Sequence, residues 1–121
     1  MSHWKEFRAE HHGRSEPDVD VWRLSGALTN SKESYDFLEA VRAGMRERPR
    51  PVVLNLEKVD HATSAGIGII AAAYTSAVNA GARLVLAALP KQVRTVLNIL
   101  NLLSIIEHAE SEEQAIERLG R

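Results

Sequence analysis

The residues whose types and spacing could carry chemistry fall into three groups. The first is Gly66-Ile67-Gly68-Ile69-Ile70-Ala71, which satisfies the G-x-G-x-x-A spacing that lets a backbone approach a pyrophosphate at the start of a helix. In a dinucleotide site those glycines follow their strand by a tight turn, and an acidic residue closes the next strand to hold a ribose hydroxyl. Here Glu57 to Ala65 intervene and Arg83 to Ala87 ends without an acid, so the glycines are read as allowing close helix packing. The second group is His61 with Ser64, a base and a hydroxyl three residues apart. Nucleophilic catalysis would also need an acidic orienter and an oxyanion hole, and the G-x-S-x-G elbow is absent from Thr63-Ser64-Ala65-Gly66. His61 is therefore expected to be a half-buried strand-end or loop residue. The third group is the histidines themselves. His11 and His12 are adjacent, so on an extended strand they point to opposite faces, and no helical His pair exists. With Cys 0, thiolate catalysis and cysteine metal sites are excluded together. We expect no catalytic residue, no cofactor and no metal; a nucleotide-binding protein or small hydrolase is the least supported reading.

What remains is Ser64, a hydroxyl between the exit of a buried strand and the N-terminus of an uncharged helix. A phosphate there would carry about -1.5 to -2 charges at neutral pH, in a place where the helix dipole and free backbone N–H groups stabilise an anion. The modified domain would stay folded, while a partner docked over the same helix end would meet a new dianion. The plainer alternative is that Ser64 only caps the helix.

The chain that must position this hydroxyl has 121 residues, Lys+Arg 15 against Asp+Glu 16, a formal net charge of -1, and hydrophobic residues at 45%. That describes one globular domain spanning residues 1–121, with no overall basic field for nucleic acid. The charged start MSHWKEFRAEHHGRSEP holds no apolar run, which makes a cytoplasmic location the expectation. No Asp, Glu, Lys or Arg occurs from His61 to Ala82, but the apolar part, Gly66 to Val78, is shorter than the roughly 20 residues of a bilayer span. No membrane insertion is expected, and a buried helix is.

Residues 1–17 are read as a weak edge strand around Trp4, Phe7 and Ala9 followed by a turn from Gly13 to Asp18, and 18–119 as the core. Val19 to Gly26 is a strand. Asn30 with Glu33 resembles a capping box, opening a helix from about Ser31 to Arg48 with Tyr35, Leu38, Val41 and Met45 on its inner face. Val52 to Leu56 is a central strand covered on both faces. A second helix follows Ser64 and ends at Gly81, which suits a left-handed residue, and Arg83 to Ala87 is the next strand. Pro90 fits the first position of a third helix whose Val93, Val96, Leu97 and Leu100 share a face, and Asn101 can close it. A short strand at Leu103 to Ile106 and an acidic helix capped by Ser111 and Gln114, with Ala115, Ile116 and Leu119 inward, complete the pattern. The fold class is α/β: a mostly parallel sheet of four to five strands, an N-terminal hairpin and four helices. The basic Arg83, Lys91 and Arg94 and the acidic C-terminal segment are read as solvated surface.

The motifs, taken in order, resemble the STAS domains, the anti-sigma factor antagonists and their relatives. Leu24-Ser25-Gly26-Ala27-Leu28 is similar to L-x-G-x-L; Val52 to Leu56, Val59 and Thr63-Ser64-Ala65-Gly66-Ile67-Gly68 are similar to the central strand followed by D-S-S-G-L-G. Gly81 to Leu86 is similar to G-x-x-L-x-L, and Val93 to Leu97 with Asn101-Leu102 to the V-x-x-x-L helix ending in G-L. The resemblance implies a non-enzymatic regulator whose phosphoacceptor falls on Ser64, with Thr63 as the alternative acceptor. It implies partner switching: the unmodified domain binds an anti-sigma factor with serine kinase activity, phosphorylation breaks that complex, and a phosphatase resets it. The implied docking surface comprises Thr29, Thr63, Ser64, Ala65, Gly66 and Ile67. Three positions depart from the pattern, with Thr63 for the aspartate, Ala65 for the second serine and Thr29 for the aspartate after L-x-G-x-L. Those departures motivate an alternative, a STAS scaffold or subunit of a larger assembly, stressosome-like or lipid-transporting, without phospho-switching. The expected solution state is a monomer or weak dimer.

Overall fold

The computed structural model describes residues 5–120. The chain runs β1 (Arg8–Ser15), β2 (Asp18–Leu28), α1 (Lys32–Glu47), β3 (Val52–Ala62), α2 (Ser64–Asn79), β4 (Leu84–Ala87), α3 (Lys91–Ile99), a 3-10 turn (Leu102–Ser104), β5 (Glu107–Ala109) and α4 (Glu112–Leu119). The strands form one sheet in the order β1-β2-β3-β4-β5, with β1 antiparallel to β2 and every other pair parallel. The α/β expectation with an N-terminal hairpin is met, and the described residues form four helices and a five-stranded sheet.

Side-chain alternation along the strands divides the core between the two faces of the sheet. Leu24, Leu28, Val52, Leu54, Leu84 and Leu86 pack with α1, α2 and α3, through Phe37, Leu38, Ile67, Ile70, Val93 and Leu97. On the other face Val19, Val21, Val53 and Val85 pack under Ala115 and Ile116 of α4. Three buried helices on one side and a single short helix on the other follow from that distribution.

Several boundaries differ from the sequence expectation. β1 is a full strand reaching Ser15, so the turn is only Glu16-Pro17; Phe7, 4% exposed, joins the core, and Trp4 lies outside the described residues. The cap of α1 is Ser31, which accepts from the Ser34 amide, in place of Asn30, and this rotates the buried face to Ser34, Phe37, Leu38, Val41 and Met45. Tyr35 is 49% exposed. Pro90 is the cap of α3 and lies just outside it; Leu100 ends up exposed. Leu103 to Ile106 is not a strand. The left-handed Asn101 (φ 60) folds the chain into the 3-10 turn, Leu102 and Leu103 pack on the core, and the strand that pairs with Val85–Ala87 is Glu107–Ala109. The Ser111 cap is as expected, although the Gln114 side chain accepts from the Glu110 amide.

Ion pairs tie the ends of the sheet. Arg23 donates twice to Glu112, and Asn55 Nδ2 donates to the same carboxylate, so the acidic start of α4 is anchored to β2 and β3 instead of facing water. The Arg23 hydrogen bond, opposed by burial, holds Glu112 below the usual carboxylate range. Burial alone would raise the Asp20 carboxyl, but hydrogen bonds from Arg50 and His11 outweigh it and lower it. A lowered native pKa gives stability that is present above the unfolded value and lost as the pH falls through the native one. Urea midpoints are therefore expected to fall as the pH drops below about 4, and Glu112→Gln is expected to reduce that dependence.

Candidate functional site

The candidate site lies where the C-terminal ends of β2 and β3 meet the N-terminus of α2. Leu28, fully buried, ends β2, and its carbonyl accepts the Thr63 amide at 3.1 Å. Thr63 then leaves β3 in an extended conformation (φ -87, ψ 172), and its Oγ1 accepts the Gly66 amide at 3.1 Å. Thr63 is thus the N-cap of α2, and the first helical residue is Ser64.

That one-residue difference changes the role of the serine. The cap is already supplied, Ser64 is exposed, and its hydroxyl makes no hydrogen bond to any described residue. The first turn of α2 carries no acidic side chain and the last turn no basic one. A free hydroxyl therefore sits at the positive end of a helix dipole that no acidic side chain of the first turn neutralises. Thr63→Ala is expected to destabilise the domain by about 1 kcal/mol through loss of the cap. Ser64→Ala should leave the denaturation midpoint unchanged, which separates the two hydroxyls.

The remaining expected residues divide between surface and support. Ala65 is exposed, as are Gly68, Thr75, Val78 and Asn79 further along α2, so its outer face is small and uncharged. Ile67 is 1% exposed and belongs to the core, supporting that surface from beneath. Gly66 is also buried: a Cβ there would lie 2.0 Å from the Leu28 carbonyl oxygen. This contact assigns the glycine to packing, as the sequence suggested. Thr29 follows Leu28 directly and is spent locally, its Oγ1 accepting the Ser31 amide at 3.2 Å beside the Ser31–Ser34 hydroxyl pair. It borders the same edge of the sheet.

His61 is half-buried near the end of β3 and shares a hydrogen bond with Gln92 Nε2 at 3.2 Å, so no Ser64–His61 pair forms. That contact brings the start of α3, with Lys91 and Gln92, beside the end of β3. Sequence reasoning missed this neighbour because the partners are 31 residues apart and no motif links them. His11 bonds Asp20, and among the described residues no group of His, Asp and Glu is arranged to hold a metal ion. No helix of the described residues is long and apolar enough to cross a membrane.

The family model for the STAS domain matches residues 14–115. Among solved structures, an anti-sigma factor antagonist from Mycobacterium paratuberculosis superposes with a TM-score of 0.81 at 17% identity, covering 96% of this chain and 96% of that one. The Bacillus cell fate determinant SpoIIAA in its phosphorylated form gives 0.62 at 23% identity, covering 93% and 98%. A sulfate transporter family protein from Wolinella succinogenes gives 0.68 at 13%, covering 84% of each chain. At such identities the likeness shows the fold, which is shared by antagonists and by a transporter.

Proposed function

The chain belongs to the STAS domain family, and on that premise we propose that it is a non-enzymatic anti-sigma factor antagonist, switched by phosphorylation of Ser64. The observation that carries the proposal is the unused, exposed Ser64 hydroxyl at the first position of α2, with the cap supplied by Thr63. The partner is an anti-sigma factor with serine kinase activity, which docks over Ser64, Ala65 and the uncharged face of α2 while Thr29 borders the contact. Phosphate on Ser64 gains from the helix dipole but places a dianion in the docked surface, and the complex dissociates. A phosphatase restores the binding form. A relative of this fold has been solved in a phosphorylated form, which supports the modification as compatible with the architecture. The cytoplasm, where such a kinase and its nucleotide reside, is the proposed location.

A second reading is favoured by Thr63 and Ala65, which leave the start of α2 without a carboxylate, and by the transporter structure of the same fold. In it the domain is a constitutive scaffold or subunit. Incubation with the cognate kinase and ATP, followed by mass-spectrometric mapping, separates the readings. Phosphate confined to Ser64 is expected; phosphate on Thr63 alone would move the switch to that hydroxyl, and none favours the scaffold.

A further inference from the structure

One edge of the sheet is open. Among the described residues β1 pairs with β2 alone, so half of its backbone N–H and C=O groups face away from that pairing, and seven of its eight residues are exposed. Natural edge strands carry charges that discourage pairing with another chain, and such charges protect only while no register matches them. The sequence Arg8-Ala9-Glu10-His11-His12-Gly13-Arg14-Ser15-Glu16 has one matching register with itself. With two copies antiparallel and His12 opposite His12, Glu10 faces Arg14 twice by symmetry, and Arg8 comes opposite the turn residue Glu16 just beyond the end of the strand. Sliding the axis to His11 sets Arg8 against Arg14, and sliding it to Gly13 sets Glu10 against Glu16. The charges thus select a single pairing.

Three of those charges are also available. Arg8, Arg14 and Glu16 form no ion pair with any other described residue, while Glu10 lies opposite Arg23 of β2, with which it interacts electrostatically, and is 3.4 Å from His12 on its own strand. Glu10, His12 and Arg14 share the α4 face of the sheet, opposite Arg23, Val21 and Val19, while Ala9 packs against the core on the other face and His11 stacks on Trp22 at 4.7 Å. Opposite-charge pairs directly across antiparallel strands are stabilising and like-charge pairs destabilising.

We propose that the outer edge of β1 is a self-recognition surface, on which a second copy of this chain adds its own β1 in the register centred on His12. The interface is isologous and closes a two-fold dimer whose sheet runs continuously through both copies. It lies at the opposite edge of the sheet from β5 and leaves the outer face of α2 uncovered.

The test uses the whole chain in sedimentation equilibrium over a range of protein concentrations. The wild type is expected to show a monomer–dimer equilibrium that weakens as salt is raised. Glu10→Arg and Arg14→Glu should each raise the dissociation constant by about tenfold or more, since each turns attractive pairs into repulsive ones. Mixed in equal amounts the two variants should form a heterodimer, because Arg at 10 then faces Glu at 14 and Glu10 faces Arg14. Circular dichroism confirms that both variants are folded. A wild type that stays monomeric at its highest soluble concentration, or variants that associate like the wild type, or a mixture no tighter than either variant alone, overturns the proposal.

Discussion

Gly66→Ala is expected to cost about 3 kcal/mol or more of folding stability, or to prevent folding, while Gly68→Ala, two residues along the same helix, should stabilise by about 0.5–1 kcal/mol. The two glycines differ in what their missing side chains would meet. A Cβ at Gly66 falls 2.0 Å from the Leu28 carbonyl oxygen and 2.6 Å from its carbon, both backbone atoms that no rotamer change can move. That carbonyl is fixed at the end of β2, whose Gly26, Ala27 and Leu28 pair with Val59, His61 and Ala62. Relief would require the start of α2 to lift away from the sheet, breaking the Thr63–Leu28 hydrogen bond and loosening Ile67 and Ile70, both buried. At Gly68 nothing lies within 4 Å of the added carbon, so alanine only gains helix propensity. Chemical denaturation of the two variants measures the difference. Equal midpoints would mean that α2 does not rest on Leu28 as described.

The second large effect concerns binding rather than folding. Phosphorylation of Ser64 is expected to weaken the complex with the kinase-type anti-sigma partner by at least about a hundredfold, the scale of several kcal/mol for desolvating or opposing a dianion in an interface. Three features of the surface set that size. Ser64 is exposed at the helix start, the outer face of α2 carries no charge, and no Asp, Glu, Lys or Arg occurs from His61 to Ala82, so no side chain of that segment balances the phosphate. Ser64→Glu should reproduce part of the loss, having one charge and a different shape, and Ser64→Ala should bind like the wild type. The folding stability of the phosphorylated domain should be unchanged or slightly higher, because an anion at the N-terminus of a helix is favourable by about 0.3–1 kcal/mol. Loss of binding without loss of stability distinguishes a switch from damage.

Much of this arrangement was legible in the residues because the signals were local. Gly81 and Asn101 both suit a left-handed terminator, and both have positive φ, at 78° and 60°. The apolar blocks at Val52 and Leu84 became parallel neighbours. What could not be read was the length of β3. Its second half, Glu57 to Ala62, mixes exposed Glu57, Lys58 and Asp60 with buried Val59 and Ala62 without a regular alternation and looks like a loop, because β4 pairs only as far as Asn55. Beyond that point β2 is the one strand paired with β3 among the described residues, and Glu57, Lys58 and Asp60 reach water. The uncertain strand end propagated into the site. Two adjacent hydroxyls could cap α2, and only the pairing of Ala62 with Leu28 decides that Thr63 does so and Ser64 is left free.

The 3-10 turn was missed for a related reason. Leu102 to Ile106 is apolar enough for a buried strand, yet the left-handed Asn101 turns the chain first, and Ile106 donates to Leu102 instead of to a neighbouring strand. Glu112 was read as solvated because its partners Arg23 and Asn55 lie 89 and 57 residues away.

The most direct test of the account is the affinity of the kinase-type anti-sigma partner for two forms of this protein, unmodified and stoichiometrically phosphorylated at Ser64, measured side by side by calorimetry. A stable complex is expected with the unmodified form and a dissociation constant at least about a hundredfold higher with the phosphorylated one. Equal affinities for the two forms would contradict it.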